Sequence, residues 1–356
     1  MNGTICDYRN HNLDIFKPNG GFLKLLYEYK RESEKGRTHL LFASYLKNSG
    51  MSDSTNILIP YINLGFTESN VIQDLIIVNN PEDAERIAST HIKKIPTFNG
   101  FLYDSLISTL DKHHWTKQRQ AFNRAFNVFS SLPNALIQSE KLAKQSVDVL
   151  WKMSDYGKNH VDINEFFLNE TMKQLMIVMF GVSNGFQERT NKKIREALRT
   201  ASDYAGKFAY ELLDEIKQSD GPLSDAFKNR VPDKHRKREE YGNALLFAFA
   251  GHDSTGHTLT WLVYELCNHP HFQNILQNEV DTFWVKQKNK PIDMNDFKRL
   301  PFMTRVIMET LRLWPALANG TYRELTKDDY VQGTKGNVKL VAGTLVQIPN
   351  WVRHRN

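Results

Sequence analysis

Cysteine is scarce in this sequence and long apolar runs are missing. Two cysteines in 356 residues, Cys6 and Cys267, are too few for a disulfide framework, and neither has Cys or His partners at structural zinc spacing. That scarcity predicts a reducing intracellular compartment. No window reaches the ~18 uninterrupted apolar residues that a spanning helix needs. The opening MNGTICDYRNHNLDIF lacks a basic start followed by an apolar core, so neither a secretory leader nor a transmembrane anchor is expected. Charge of one sign is not dominant either. Lys and Arg total 46 against 40 for Asp and Glu, a net +6, spread over a large surface, which is a mild bias towards anionic partners, and no nucleic-acid partner is expected. The basic run from Lys234 to Arg238 could touch phosphate or an acidic lipid surface, but such runs are more often solvated linkers or helix starts. No internal repeat is found.

What is present is 40% hydrophobic content, enough for one large core or two smaller ones. Residues 56–78 hold two apolar runs around Gly65, Thr67, Ser69 and Asn70, which reads as two strands and a turn. In the following NNPEDAERIAS, Asn80 is placed to cap a helix, with Pro81 at its first position and acids in its first turn. From about Asp111 a helical period dominates, through Trp115, Arg119, Phe122 and Phe126, then through Phe166, Met172, Leu175, Met176, Met179 and Phe180. The stretch from Lys217 to Lys237, with Gly221, Pro222 and Pro232, reads as a flexible connection. Leu245–Ala250 and Leu259–Val263 are apolar on every side, which marks a buried central helix. A later helix from about Leu300 to Trp314 must end near Pro315. Short strands follow at Val338–Val341 and Thr344–Ile348. The expected class is mainly α with small β-sheets, α+β. Residues 1–55 form an N-terminal extension with a first helix, and residues 56–356 form one domain.

Three segments carry candidate chemistry. Ala250, Gly251, His252, Asp253, Ser254, Thr255, Gly256 and His257 are poor helix formers set between the two apolar halves of the central helix. In one reading Gly251 lets a flat ligand or another backbone approach, a Ser254 or Thr255 hydroxyl bonds a carbonyl one turn back, and a buried Asp253 handles protons. In the other the segment is a loop joining two helices, capped by Asp253 or Ser254. Glu309 and Arg312 share a helical face, and the apolar residues around them point to a partly buried pair. Trp115 and Arg119, four apart, present an indole donor and a cation on one face, suited to a ligand's carboxylates; the alternative is a core tryptophan beside a surface arginine.

In order, these segments resemble a known family. AGHDST at 250–255 resembles the central-helix motif of the cytochromes P-450, ETLRLWP at 309–315 their Glu-x-x-Arg helix, and WTKQR at 115–119 their Trp-x-x-x-Arg helix. NPEDAERI resembles an early strand-to-helix step of the family, and TYREL at 321–325 with AGTLVQIPNWVRHR at 342–355 its later strand region. The resemblance covers about Asn56 to Asn356. It implies a haem cofactor, with Trp115, Arg119 and Arg323 holding the propionates and Ala250 and Gly251 lying against the ring. Glu309 and Arg312 would be a structural pair. Asp253, with the hydroxyl of Ser254 or Thr255, would deliver the protons that dioxygen reduction consumes. It also implies monooxygenation of a small apolar, lipid-like substrate with electrons from a redox partner, a reductase or ferredoxin.

The chain departs from that pattern in two places. Ser254 stands where the family usually has threonine, which keeps the hydroxyl but loses the methyl that fixes its rotamer. The family's cysteine loop, F-x-x-G-x-R-x-C-x-G, has no match, and neither Cys6 nor Cys267 lies in a segment that could form it. The expectation is therefore a fold incomplete at its C-terminus, with haem binding retained and turnover lost or altered. A second expectation, from another class, is a non-catalytic helical protein that binds an apolar ligand or a protein partner. A metal hydrolase built on His252, Asp253 and His257 is set aside, because only Asp253 and His257 share a face.

Overall fold

Asn80 starts the best-marked helix as the sequence predicts: its side chain accepts the Asp83 amide at 3.0 Å, with Pro81 at the first helical position. The computed structural model describes residues 14–15, 21–35, 37–48, 57–59, 75–95, 102–127, 129, 131–182, 203–229, 236–288, 290–333 and 336–355. Its elements are β1 (Asp14–Ile15), α1 (Gly21–Glu34), α2 (Thr38–Asn48), β2 (Ile57–Ile59), β3 (Leu75–Ile77), α3 (Pro81–Thr90), α4 (Lys112–Asn123) and α5 (Ser131–Met153). Next come α6 (Ile163–Gln174), α7 (Asp203–Gln218), α8 (Pro222–Lys228), α9 (Arg236–Asn268), α10 (Pro270–Gln287) and α11 (Pro301–Leu313). Strands β4 (Thr321–Glu324), β5 (Asp329–Gly333), β6 (Gly336–Leu340) and β7 (Leu345–Ile348), and a short α12 (Asn350–Arg353), complete the set.

The chain divides into two compact units, one of residues 1–97 and 312–356 and the other of residues 98–311. All the strands among the described residues lie in the first unit. Its five-stranded sheet runs β1-β2-β3-β7-β4, with β3 parallel to β7 and β4 antiparallel to β7, so Arg323 sits opposite Val346. The two strands expected at residues 338–348 belong to different sheets, since β6 pairs with β5 in a separate hairpin. Buried Ile76, Ile87, Val331, Leu340, Val346 and Ile348 share one core. The Gly320 turn needs glycine, because a Cβ there would lie 1.7 Å from the Ile348 carbonyl oxygen and φ is +72°.

The second unit is helical. Phe122, Met172, Met176, Phe180, Leu245 and Phe227 pack in its core. Helix α6 continues into a π-helical turn, Leu175–Phe180, closed by Gly181 at φ 70°. Residues Pro222–Lys228, expected to be part of a flexible connection, form α8. Leu223 and Phe227, four apart, are 0% and 1% exposed, so the spacing of two apolar residues prevails over the glycine and proline that open the segment.

Helix α9 decides between the two readings of residues 250–257. It runs unbroken for 33 residues, so there is no loop. The hydroxyls bond back within the helix, Ser254 to the Ala250 carbonyl at 2.7 Å and Thr258 to that of Ser254 at 2.7 Å, and the helix accommodates them. The expectation of burial along its whole length is corrected. Ala244, Leu245, Leu246 and Ala248 are buried, whereas Leu259–Val263 are only half-buried.

Candidate functional site

Helix α9 presents the motif residues on different faces. Gly251 faces α6 and its π-helical extension: a Cβ there would meet the Leu175 side chain at 2.9 Å. The glycine thus admits a neighbouring helix's leucine, where a flat ligand or a backbone had been expected. Gly256 does the same against Leu168 and Thr171, and the Thr171 hydroxyl donates to the His252 carbonyl at 3.0 Å. Ala250 and Thr255 are exposed, and Ser254 is half-buried.

Asp253 is not buried as expected. Its side chain is 44% exposed, with one carboxylate oxygen 3.6 Å from His257 Nδ1. His257 Nδ1 donates to the Asp253 main-chain oxygen at 2.8 Å. The Ser254 hydroxyl spends its one proton on Ala250, which leaves its oxygen free to accept.

On α4, Trp115 is half-buried and Arg119 exposed, on one helical face. The cap on this helix is Asp111, whose carboxylate accepts the His114 amide at 2.8 Å. That bond above all holds the Asp111 carboxyl below the ordinary aspartate value.

Glu309 and Arg312 lie on α11 as predicted, but both are exposed, as are Ile307, Met308 and Leu311 beside them. The expectation of partial burial is therefore corrected for the described residues. Arg312 donates to the His354 carbonyl.

Arg323 carries a guanidinium that is buried at one nitrogen and only partly satisfied. One guanidinium nitrogen donates to the Thr321 hydroxyl and, at 2.8 Å, to the Tyr322 carbonyl. Its Nε is buried and has no hydrogen-bond partner among the described residues, and burial lowers its pKa. Lys94 is depressed by its own burial and then by the Arg323 charge. The two positive charges disfavour one another, a repulsion that a bound anion would offset. Lys94 was not singled out from the sequence, because in HIKKIP nothing distinguishes it from the exposed Lys93, which pairs with Glu324 at 2.5 Å.

The sequence and the fold have counterparts among known proteins. The family model described as Cytochrome P450 matches residues 66–246 and 228–356. The chain belongs to the cytochrome P450 family. Human cytochrome P450 4F12 is 24% identical over 325 residues, covering 75% of this chain and 61% of that protein. Bovine cytochrome P450 3A28 is 28% identical over 194 residues, covering 53% and 35%. The cytochrome P450 monooxygenase nodW of Hypoxylon pulicicidum is 24% identical and covers 71% and 51%. The chain thus spans less than two thirds of each of these relatives. Two solved P450 structures share the fold. One crystal structure superposes with a TM-score of 0.67 at 19% identity, over 80% of this chain and 69% of that one. A zebra fish P450 with progesterone gives 0.66 at 16% identity, over 89% and 80%.

Haem is the cofactor this P450 fold implies. In the first unit, the buried Arg323 Nε, without a hydrogen-bond partner among the described residues, is a donor of the kind a haem carboxylate needs. On the iron side, Cys267 is exposed at the end of α9, about 20 Å along the helix from Ser254, and Cys6 lies outside the described residues. Among the described residues, no helix is long and apolar enough to cross a membrane.

Proposed function

We propose that this P450 binds haem through Arg323, Trp115 and Arg119 at the propionates, and serves haem-dependent monooxygenation of a small apolar, lipid-like substrate. The observation that carries the reading is the Arg323 guanidinium, whose Nε is buried and has no hydrogen-bond partner among the described residues. When bound, the haem supplies the redox centre at which dioxygen is used, with electrons from a reductase or ferredoxin.

The chain's own residues supply position and protons. Arg323 and Arg119 fix carboxylates by charge-assisted bonds, and the Trp115 indole adds a donor. Asp253 holds a proton-accepting carboxylate open to solvent on α9, beside His257. Ser254 Oγ, oriented by its bond to the Ala250 carbonyl, accepts a hydrogen bond from a water on its free lone pairs and so positions that water. Glu309 and Arg312 act as structural residues of α11. The zebra fish relative's progesterone is an apolar ligand of the class proposed.

The test is titration of the purified chain with haemin, followed by absorbance in the Soret region. Saturable binding that weakens about tenfold in Arg323→Gln and in Arg119→Gln is expected. Haemin that binds no better than to an unrelated helical protein, or equally well to both variants, overturns the reading.

A further inference from the structure

Helices α4 and α9 meet through three pairs of side chains at one constant sequence offset. His114 Nε2 lies 2.6 Å from a Glu239 carboxylate oxygen. One turn on, the Asn243 amide donates to Gln118 Oε1 at 2.9 Å. Another turn on, the Phe122 and Phe247 rings meet edge to face at 4.9 Å. Residues 114, 118 and 122 thus face 239, 243 and 247. The helices run side by side in the same direction, joined by a charged, an amide and an aromatic rung.

Three of the four polar rung residues are buried and His114 is half-buried. Glu239 is 2% exposed, and Gln118 and Asn243 are 0%. Their remaining valences go to the segment before α4: Gln118 donates to the Asp104 carbonyl at 2.8 Å, and Asn243 accepts the Leu106 amide at 2.9 Å. The Thr109 hydroxyl lies 3.3 Å from His114 Nδ1. Apolar contacts alone tolerate sliding by one turn. Here such a slide would set Phe122 against Asn243 and strand buried polar groups without partners, so only one register is satisfied.

That register bears on the proposed site. Trp115 and Arg119 each follow a rung residue of α4, so they share one face, turned about 100° from the rungs. On α9, Ala250 and Ser254 lie eleven residues beyond Glu239 and Asn243, which is about three turns and ~16 Å along the same ridge. We infer that His114, Gln118, Glu239 and Asn243 are positioning residues that fix where Trp115 and Arg119 stand relative to Ala250 and Ser254. This inference rests on the haem reading for its purpose, but its geometry lies wholly within the helical unit.

The decisive variant replaces the first rung by apolar groups, His114→Phe with Glu239→Leu. Either single change leaves a buried polar group unpaired and is expected to lower the thermal midpoint. The double change removes both partners and is expected to restore it. A merely structural rung would then regain everything. A positioning rung would not.

Two readouts separate these outcomes in the full chain. Spin labels on the exposed Cys267 and on Lys117→Cys, with Cys6→Ser, report the distance between the helices without any ligand. Haemin titration reports the site. For the double variant, in which the Gln118–Asn243 rung still opposes a full one-turn slide, we expect a broadened distance distribution and about tenfold weaker haemin binding. Native distance together with native haemin affinity in the double variant would overturn the inference. Glu239→Gln, which keeps a hydrogen bond to His114, is expected to retain the native distance even if the apolar variants fold poorly, and displaced labels there would also overturn it. If the unsubstituted chain binds no haemin, the haem reading fails alone, and the label distance still decides the register.

Discussion

His91 ties the end of α3 to the β5–β6 hairpin through a bond from its Nε2 to Asp329, 2.8 Å long, while its Nδ1 accepts the Thr326 amide at 3.0 Å. Burial raises the Asp329 carboxyl, but the His91 bond, the Tyr330 amide and Arg86 outweigh it and hold the group below its ordinary 3.8. A carboxylate depressed in the folded state contributes stability above its unfolded pKa and loses it as pH falls through the folded one. The protein should therefore lose stability below about pH 4, and Asp329→Asn should flatten that loss. Urea unfolding at several pH values measures both. His91→Ala, which strands the carboxylate and the amide, should cost about 1–3 kcal/mol at neutral pH.

Arg323 separates folding from binding. Its burial without a full set of partners is unfavourable to the chain alone. Arg323→Met keeps the aliphatic stem and should leave the thermal midpoint unchanged or higher in ligand-free protein, while haemin binding weakens. A midpoint that falls by several degrees would show that the guanidinium is structural. The sequence pointed to this arginine only through the TYREL resemblance, because its desolvation depends on strand pairing that places it opposite Val346.

Three glycines of α9 should rank by what a new methyl meets. In Gly251→Ala the obstacle is the tip of Leu175 at 2.9 Å, which can turn aside, and about 1 kcal/mol is expected. In Gly256→Ala it includes the Leu168 Cα at 3.1 Å, with about 1–3 kcal/mol expected. In Gly242→Ala it is the Leu102 carbonyl oxygen at 2.2 Å, which cannot yield without a backbone shift, and the largest loss is expected there. Chemical denaturation of the three variants checks the order.

Cys267 is exposed and stands far along α9 from Ser254. Cys267→Ser should change neither the unfolding midpoint nor haemin affinity, and a thiol reagent should modify Cys267 in the folded protein. A shifted Soret band in the serine variant would instead make this thiol an iron ligand.

Local signals in the sequence were good guides where one segment contains the whole cause. Asn80 and Pro81 start α3, and α11 stops before Pro315, each for a reason visible within a few residues. Segment 222–228 misled because Gly221 and Pro222 read as punctuation, although Leu223 and Phe227 already carried a helical spacing. Gly251 was placed on the right helix, but the partner that needs its missing side chain, Leu175, lies far away in sequence. The same limit hid the pairing of His114 with Glu239, since two polar residues in separate amphipathic helices look like surface until their partners are known.

The three rungs between α4 and α9 have a further consequence for how this chain can vary. Residues 124–235 leave one pinned helix and return to the other, so their two ends are held at a fixed separation whatever lies between. Loop-closure cost grows only slowly with length, and the clamp absorbs it. Segments can be added to that excursion, reshaping whatever it covers, while the paired helices and the core residues Met172, Phe180 and Phe227 packed with them keep their alignment.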